Sequence, residues 1–253
     1  MKSLLAATTL ALATSDAGAQ DLGATLPASI AQVAPALAAY GQSAVIGTLW
    51  ADATLSPRDR ALVTFAALMT RHEADTIGSH AELALDAGVT PAELSETITH
   101  LAFYTGWGNA IMATEALAPI YASRGVASTD LPGAEVDLLP LNADAEAARE
   151  ANVQGNFGTV SPGVVDATRE VLFHDLWLRP DLAPRDRSLV TVAALIAAGQ
   201  PEQMTFHLHR AMDNGLTKDE AGGVLQHLAF YAGWPRVFSA LPVARSVFEA
   251  RGL

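Results

Sequence analysis

The sequence predicts an all-α fold made of two tandem helical repeats that form a helical bundle, and three observations carry that expectation. The chain repeats itself at an ungapped offset of 127 residues: Leu55-Ser-Pro-Arg-Asp-Arg-Ala-Leu-Val-Thr64 returns as Leu182-Ala-Pro-Arg-Asp-Arg-Ser-Leu-Val-Thr191. From Leu55 to Trp107, 24 of 53 positions are identical, which marks one fold used twice. Half the residues are hydrophobic, only 17% are charged, and no convincing alternating strand pattern occurs. Helix starts and stops are also spelled out along both copies.

Residues 1–19 read as a secretory signal: Lys2, an apolar core from Leu4 to Ala13, then the small residues Ala17-Gly18-Ala19. This places the mature protein in the periplasm or outside the cell, with the cytoplasm as the other location. Repeat 1 covers residues 28–126, a connector covers 127–154, and repeat 2 covers 155–253. In repeat 1, Ser56-Pro57 with Asp59 opens a helix that continues to Thr70. The next helix carries His80 and stops at Gly88. Thr90-Pro-Ala-Glu93 is a capping box that opens a third helix, which ends near Gly106. A fourth runs from about Asn109 to Arg124, before Gly125. Repeat 2 follows the same plan, with Thr217 to Glu220 as the box and Gly215 and Gly252 as stops. The acidic connector, with its Leu-Pro-Gly and Leu-Pro, holds one short helix near Ala143 to Ala151.

Composition excludes several functions. The net charge of −12, without a Lys or Arg block, argues against nucleic acid as a partner. The absence of cysteine removes thiol catalysis, disulfides and thiolate metal sites. No segment is apolar for long enough to span a bilayer, so no membrane partner is expected once the signal is removed. No metal or other cofactor is expected: His207 and His209 are two residues apart on a helix and diverge.

Polar residues kept by both copies are the candidates for chemistry. His100, Tyr104 and Trp107 share one helical face, as do His227, Tyr231 and Trp234. Such a stripe lines a pocket or packs into a core with its polar tips bonded. His80 and His207 are either proton carriers or satisfied core imidazoles. Arg58 with Arg60, and Arg185 with Arg187, sit two residues apart in a first helical turn, so one of each pair points inward. It meets either a carboxylate of the protein or an anionic ligand.

These blocks, above all Arg185-Asp-Arg-Ser-Leu-Val-Thr, His207-Leu-His-Arg-Ala-Met-Asp-Asn-Gly and His227-Leu-Ala-Phe-Tyr-Ala-Gly-Trp, resemble the γ-carboxymuconolactone decarboxylase family with its alkylhydroperoxidase D-like fold. The peroxidase branch carries Cys-x-x-Cys, where this chain has Glu73 and Thr76, and Gln200 and Gln203. The resemblance therefore implies the decarboxylase branch, which removes CO2 from a lactone acid of aromatic degradation without a cofactor. It implies His207 as proton donor with His227 or Tyr231 orienting it. Arg185 or Arg187 would hold the substrate carboxylates and Trp234 would contact the substrate. His80, His100, Arg58 and Arg60 would form a second site. Single-repeat members resemble six-chain rings, so a two-repeat chain implies a homotrimer. The alternative is an exported, non-enzymatic oligomeric module that binds a small ligand.

Overall fold

A computed structural model describes residues 26–253, and among them every regular element is helical. The signal reading of residues 1–19 lies outside the described residues. Repeat 1 begins with α1 (Ser29–Val33) and α2 (Pro35–Tyr40), which runs into a π-helical stretch at Gly41–Leu49. Its four main helices follow: α3 (Pro57–Thr70), α4 (Ala74–Asp86), α5 (Pro91–Thr105) and α6 (Trp107–Arg124). The connector contributes α7 (Ala143–Phe157). Repeat 2 repeats the plan with α8 (Pro162–Ala167) and a π-helical stretch at Thr168–Phe173. Then come α9 (Pro184–Ala198), α10 (Pro201–Asp213), α11 (Lys218–Tyr231) and α12 (Trp234–Ala250).

The local signals act as their chemistry requires. The Ser56 hydroxyl accepts from the Asp59 amide at 3.0 Å, and both Thr-to-Glu capping boxes close reciprocally at α5 and α11. Gly88 and Gly215 take φ of 95° and 103°, a backbone region that a Cβ disfavours. The connector helix differs from the expectation: it continues six residues past Ala151 to Phe157, because Asn152 to Phe157 hold no proline and Asn142 caps its start.

The arrangement of the helices decides where the site lies. α3 and α9 are buried nearly all round, from Asp59 to Met69 and from Asp186 to Ala197, as helices apolar on every face must be. They pack on each other at the centre, so the two repeats share one continuous hydrophobic core. Around this axis the repeats cross over. α5 of repeat 1 packs on α9 of repeat 2, and α11 of repeat 2 packs on α3 of repeat 1. Among the described residues no helix is long and apolar enough to cross a membrane.

Candidate functional site

The crossover builds two pseudo-equivalent sites, each from both repeats. In site A, Trp50, Thr64 and His80 of repeat 1 meet His227 and Tyr231 of repeat 2. In site B, Trp177, Thr191 and His207 of repeat 2 meet His100 and Tyr104 of repeat 1. His207 is therefore not oriented by His227 or Tyr231, which belong to the other site. Its neighbours are Tyr104, with ring centroids 5.3 Å apart, and Trp177, stacked at 5.6 Å. The single set expected from repeat 2 is divided because α11 leaves its own repeat to pack on α3.

The hydrogen bonds fix several protonation states. The Thr191 hydroxyl donates to the Arg187 carbonyl at 2.7 Å, so it accepts from His100 Nε2–H, also at 2.7 Å. That leaves His100 Nδ1 a buried acceptor without a partner. Site A repeats the relay: Thr64 donates to the Arg60 carbonyl at 2.8 Å and accepts from His227 Nε2–H at 2.7 Å. The Tyr104 oxygen accepts from Trp177 Nε1–H at 2.9 Å, which leaves its own proton to donate. Burial pushes the Tyr104 phenol up to about 12, so it stays protonated. Burial, then the Arg210 charge, pushes His207 down to about 4. Burial, then Arg60 and His80, takes His227 down to about 3. Burial, then Arg187, His207 and Arg210, holds His100 well below its ordinary value. The resting imidazoles are neutral at pH 7.

The arginines expected to hold substrate are engaged by the protein. Arg185 bonds Asp59 at 2.8 Å and Glu220 at 2.7 Å. Arg58 mirrors it, bonding Asp186 at 2.8 Å and also Glu93. Each therefore ties the capping-box glutamate of its own repeat to an aspartate of the other. Arg60 bonds the carbonyls of Trp50, Asp52 and Leu55. Arg187, with no exposed surface, bonds Glu96 at 3.0 Å and the Arg179 carbonyl at 2.9 Å through Nη2, which leaves its Nε and Nη1 buried without partners. Trp234 is half exposed and lines an apolar groove between α11 and α12 with Phe238 and Phe248, which none of the site histidines lines. Glu146, Glu150 and His174 lie close enough to suggest a cation cluster, but Arg149 and Arg169 already pair with the two carboxylates.

The two sites differ in the space beside them. Site B adjoins a cavity of about 520 Å³, whose walls include Phe173, Trp177, Phe206 and Arg210 and, from the connector, Leu139, Leu141 and Arg149. His207 is not itself part of this wall; it packs behind it, against the lining rings of Trp177 and Phe206. The space beside site A is about 10 Å³, bounded by Leu49, Leu55, Arg60 and His227. Arg210 was not singled out by the repeat comparison, because Leu83 occupies its place in repeat 1. Its guanidinium lies 4.2 Å from the Trp177 ring centroid and has no carboxylate partner among the described residues.

Comparison with known proteins agrees with this architecture. The model of the carboxymuconolactone decarboxylase family matches the chain twice, at residues 32–119 and 162–246. A 4-carboxymuconolactone decarboxylase of Acinetobacter baylyi is 39% identical over 79 residues, 31% of this chain and 59% of that protein. A nitrosuccinic acid decarboxylase of Metarhizium robertsii is 31% identical over 74 residues, 29% of this chain and 52% of that protein. The chain thus spans between half and three-fifths of the length of these curated relatives. A crystal structure described as a gamma-carboxymuconolactone decarboxylase subunit from Burkholderia xenovorans LB400 superposes with a TM-score of 0.52. It covers 94% of this chain and 96% of that one at 17% identity, and so speaks for the fold.

Proposed function

The chain belongs to the carboxymuconolactone decarboxylase family, and on that premise we propose that it decarboxylates a small unsaturated or lactone acid, without a cofactor, at site B. The observation that carries this reading is the cavity of about 520 Å³ beside site B, walled by Trp177 and the unpaired Arg210, with His207 stacked on Trp177 behind that wall. Site A offers the same histidine and tyrosine pattern with a space of about 10 Å³ beside His227 and no equivalent of Arg210.

Loss of CO2 leaves an electron pair that delocalises onto a conjugated carbonyl oxygen. In this reading the Tyr104 O–H stabilises that developing oxyanion, and its high pKa keeps it a donor throughout. His207 then returns a proton to carbon, with the product released as the decarboxylated acid or lactone. His100, fixed by Thr191, positions Tyr104 from a ring-centroid distance of 5.0 Å. The names of the two curated relatives, both decarboxylases of small acids, support the reaction class.

Purified protein is expected to consume 4-carboxymuconolactone, read by ultraviolet absorbance, with stoichiometric CO2. Substrate left intact by an equimolar amount of enzyme, with carboxylate binding retained, would instead favour the non-enzymatic ligand module. We also place the mature protein in the periplasm or outside the cell, from the pattern of residues 1–19; N-terminal sequencing of the exported protein tests this.

A further inference from the structure

We propose that Arg210 is the carboxylate contact of the connector-walled cavity, and that filling this contact draws a proton from solvent onto His207. The inference rests on site B being the reactive site.

The geometry singles out Arg210. Arg58, Arg60, Arg149, Arg179, Arg185 and Arg187 all bond carboxylates or carbonyls of the protein. Arg210 instead lies over the Trp177 ring at 4.2 Å and lines the cavity. A guanidinium held over a ring without a hydrogen-bond partner has N–H groups left to donate, and a carboxylate can take two of them in parallel. The flanking walls are the rings of Phe173 and Trp177, parallel within 3°, with Phe206 edge-on. Flat walls beside one cation select a flat, conjugated acid rather than a compact or highly branched one.

His207 lies three residues before Arg210 on α10, and its ring also rests against Trp177, at 5.6 Å. The groups facing it are few. From α5 come Tyr104 and His100, both uncharged. From α9 comes Arg187, which shares Glu96 with Arg179. From the connector come Glu146 and Arg149, bonded to each other at 2.9 Å. Burial is the main reason His207 holds no proton in the empty site, and repulsion by the Arg210 charge adds to it. A carboxylate on Arg210 cancels that repulsion and adds an attraction, both of which favour the imidazolium. The acid needed for protonation of carbon is then present only when the anion is present. Repeat 1 lacks the device, since Leu83 and Glu82 stand where Arg210 and His209 stand.

Benzoate serves as a flat, unreactive probe in calorimetric titrations at pH 6, run in two buffers of different ionisation enthalpy. The wild type is expected to bind benzoate and take up protons, read as a dependence of the binding enthalpy on the buffer. Arg210→Gln should weaken binding by about tenfold or more and abolish the uptake. Arg210→Lys should bind at intermediate strength, and His207→Gln should bind without uptake. Thermal melts establish that each variant is folded. Undiminished binding by folded Arg210→Gln, binding of benzoate to wild type without proton uptake, or no binding at all would overturn the inference. The two readings fail separately. Binding with uptake in a protein that leaves 4-carboxymuconolactone intact would retain this inference and remove the decarboxylase. Full turnover by Arg210→Gln would do the reverse.

Discussion

Arg58 and Arg185 show how one residue pattern yields a structural answer. Both copies keep Arg-Asp-Arg because each outer arginine holds the other repeat's aspartate across the pseudo-twofold. Arg185→Met should leave Asp59 and Glu220 without their shared partner and cost about 1–2 kcal/mol, less than a fully buried pair because Arg185 and Glu220 are each about a quarter exposed. Chemical denaturation should show that loss, while kcat and KM per folded molecule stay unchanged; a selective rise in KM would return Arg185 to the substrate. The histidines make a second prediction. His207 and His227 are depressed to about 4 and about 3, against an ordinary value of 6.5. The unfolded chain therefore binds more protons below pH 6.5, and their contribution to stability is complete above that pH. It should fall progressively as the pH drops from 6.5 towards 3. Urea midpoints measured across this range should decline less steeply in His207→Gln; an identical slope would contradict the neutral buried state.

At the scale of elements, the helices were legible because their punctuation is local. Ser56, Thr90 and Thr217 cap through their own side chains, and a sequence shows such bonds directly. Gly199 ends α9 at φ 74°, whereas His72, its counterpart in repeat 1, adopts φ 59° with its ring bonded to Asn109 at 2.8 Å. A Cβ in that region costs about 1–2 kcal/mol. Gly199→Ala should therefore lower stability by about 1 kcal/mol in a denaturation curve, since a Cβ there meets only Arg236 at an ordinary 3.6 Å. An unchanged midpoint would mean that α9 does not depend on this stop. The sites were less legible than the helices. Identity at an offset of 127 residues is the same whether equivalent positions meet within a repeat or across repeats. Only the packing of α5 on α9 and α11 on α3 decides the matter. The search for polar residues kept by both copies also hides Arg210, whose significance lies in the difference from Leu83.

On the scale of the whole molecule, duplication has made two matching frameworks with unequal space directly beside their histidines, about 520 Å³ at site B and about 10 Å³ at site A. The connector supplies part of that asymmetry, since Leu139, Leu141, Glu146 and Arg149 wall the cavity on the site B side. It is pinned there by Leu139 N–H to the Leu178 carbonyl at 2.7 Å, and by Arg179, which reaches Gly133 and Ala134. The exposed rings and chains at Trp107, Ile111, Trp234 and Phe238 form related apolar faces on the two repeats. We propose that these faces join three chains into a ring. Light scattering on the eluting protein should then give a trimer mass, and a monomer would contradict it.

The claim that joins these scales is that the reactive site crosses the repeats, with His207 of one beside Tyr104 of the other. The most direct measurement compares the turnover of 4-carboxymuconolactone by the wild type, His207→Ala and His80→Ala, each confirmed folded. The account predicts a loss of about 100-fold or more for His207→Ala. His80→Ala should stay within about twofold of wild type, because site A does not carry the reaction. Loss confined to His80→Ala, or equal losses in both, would contradict it.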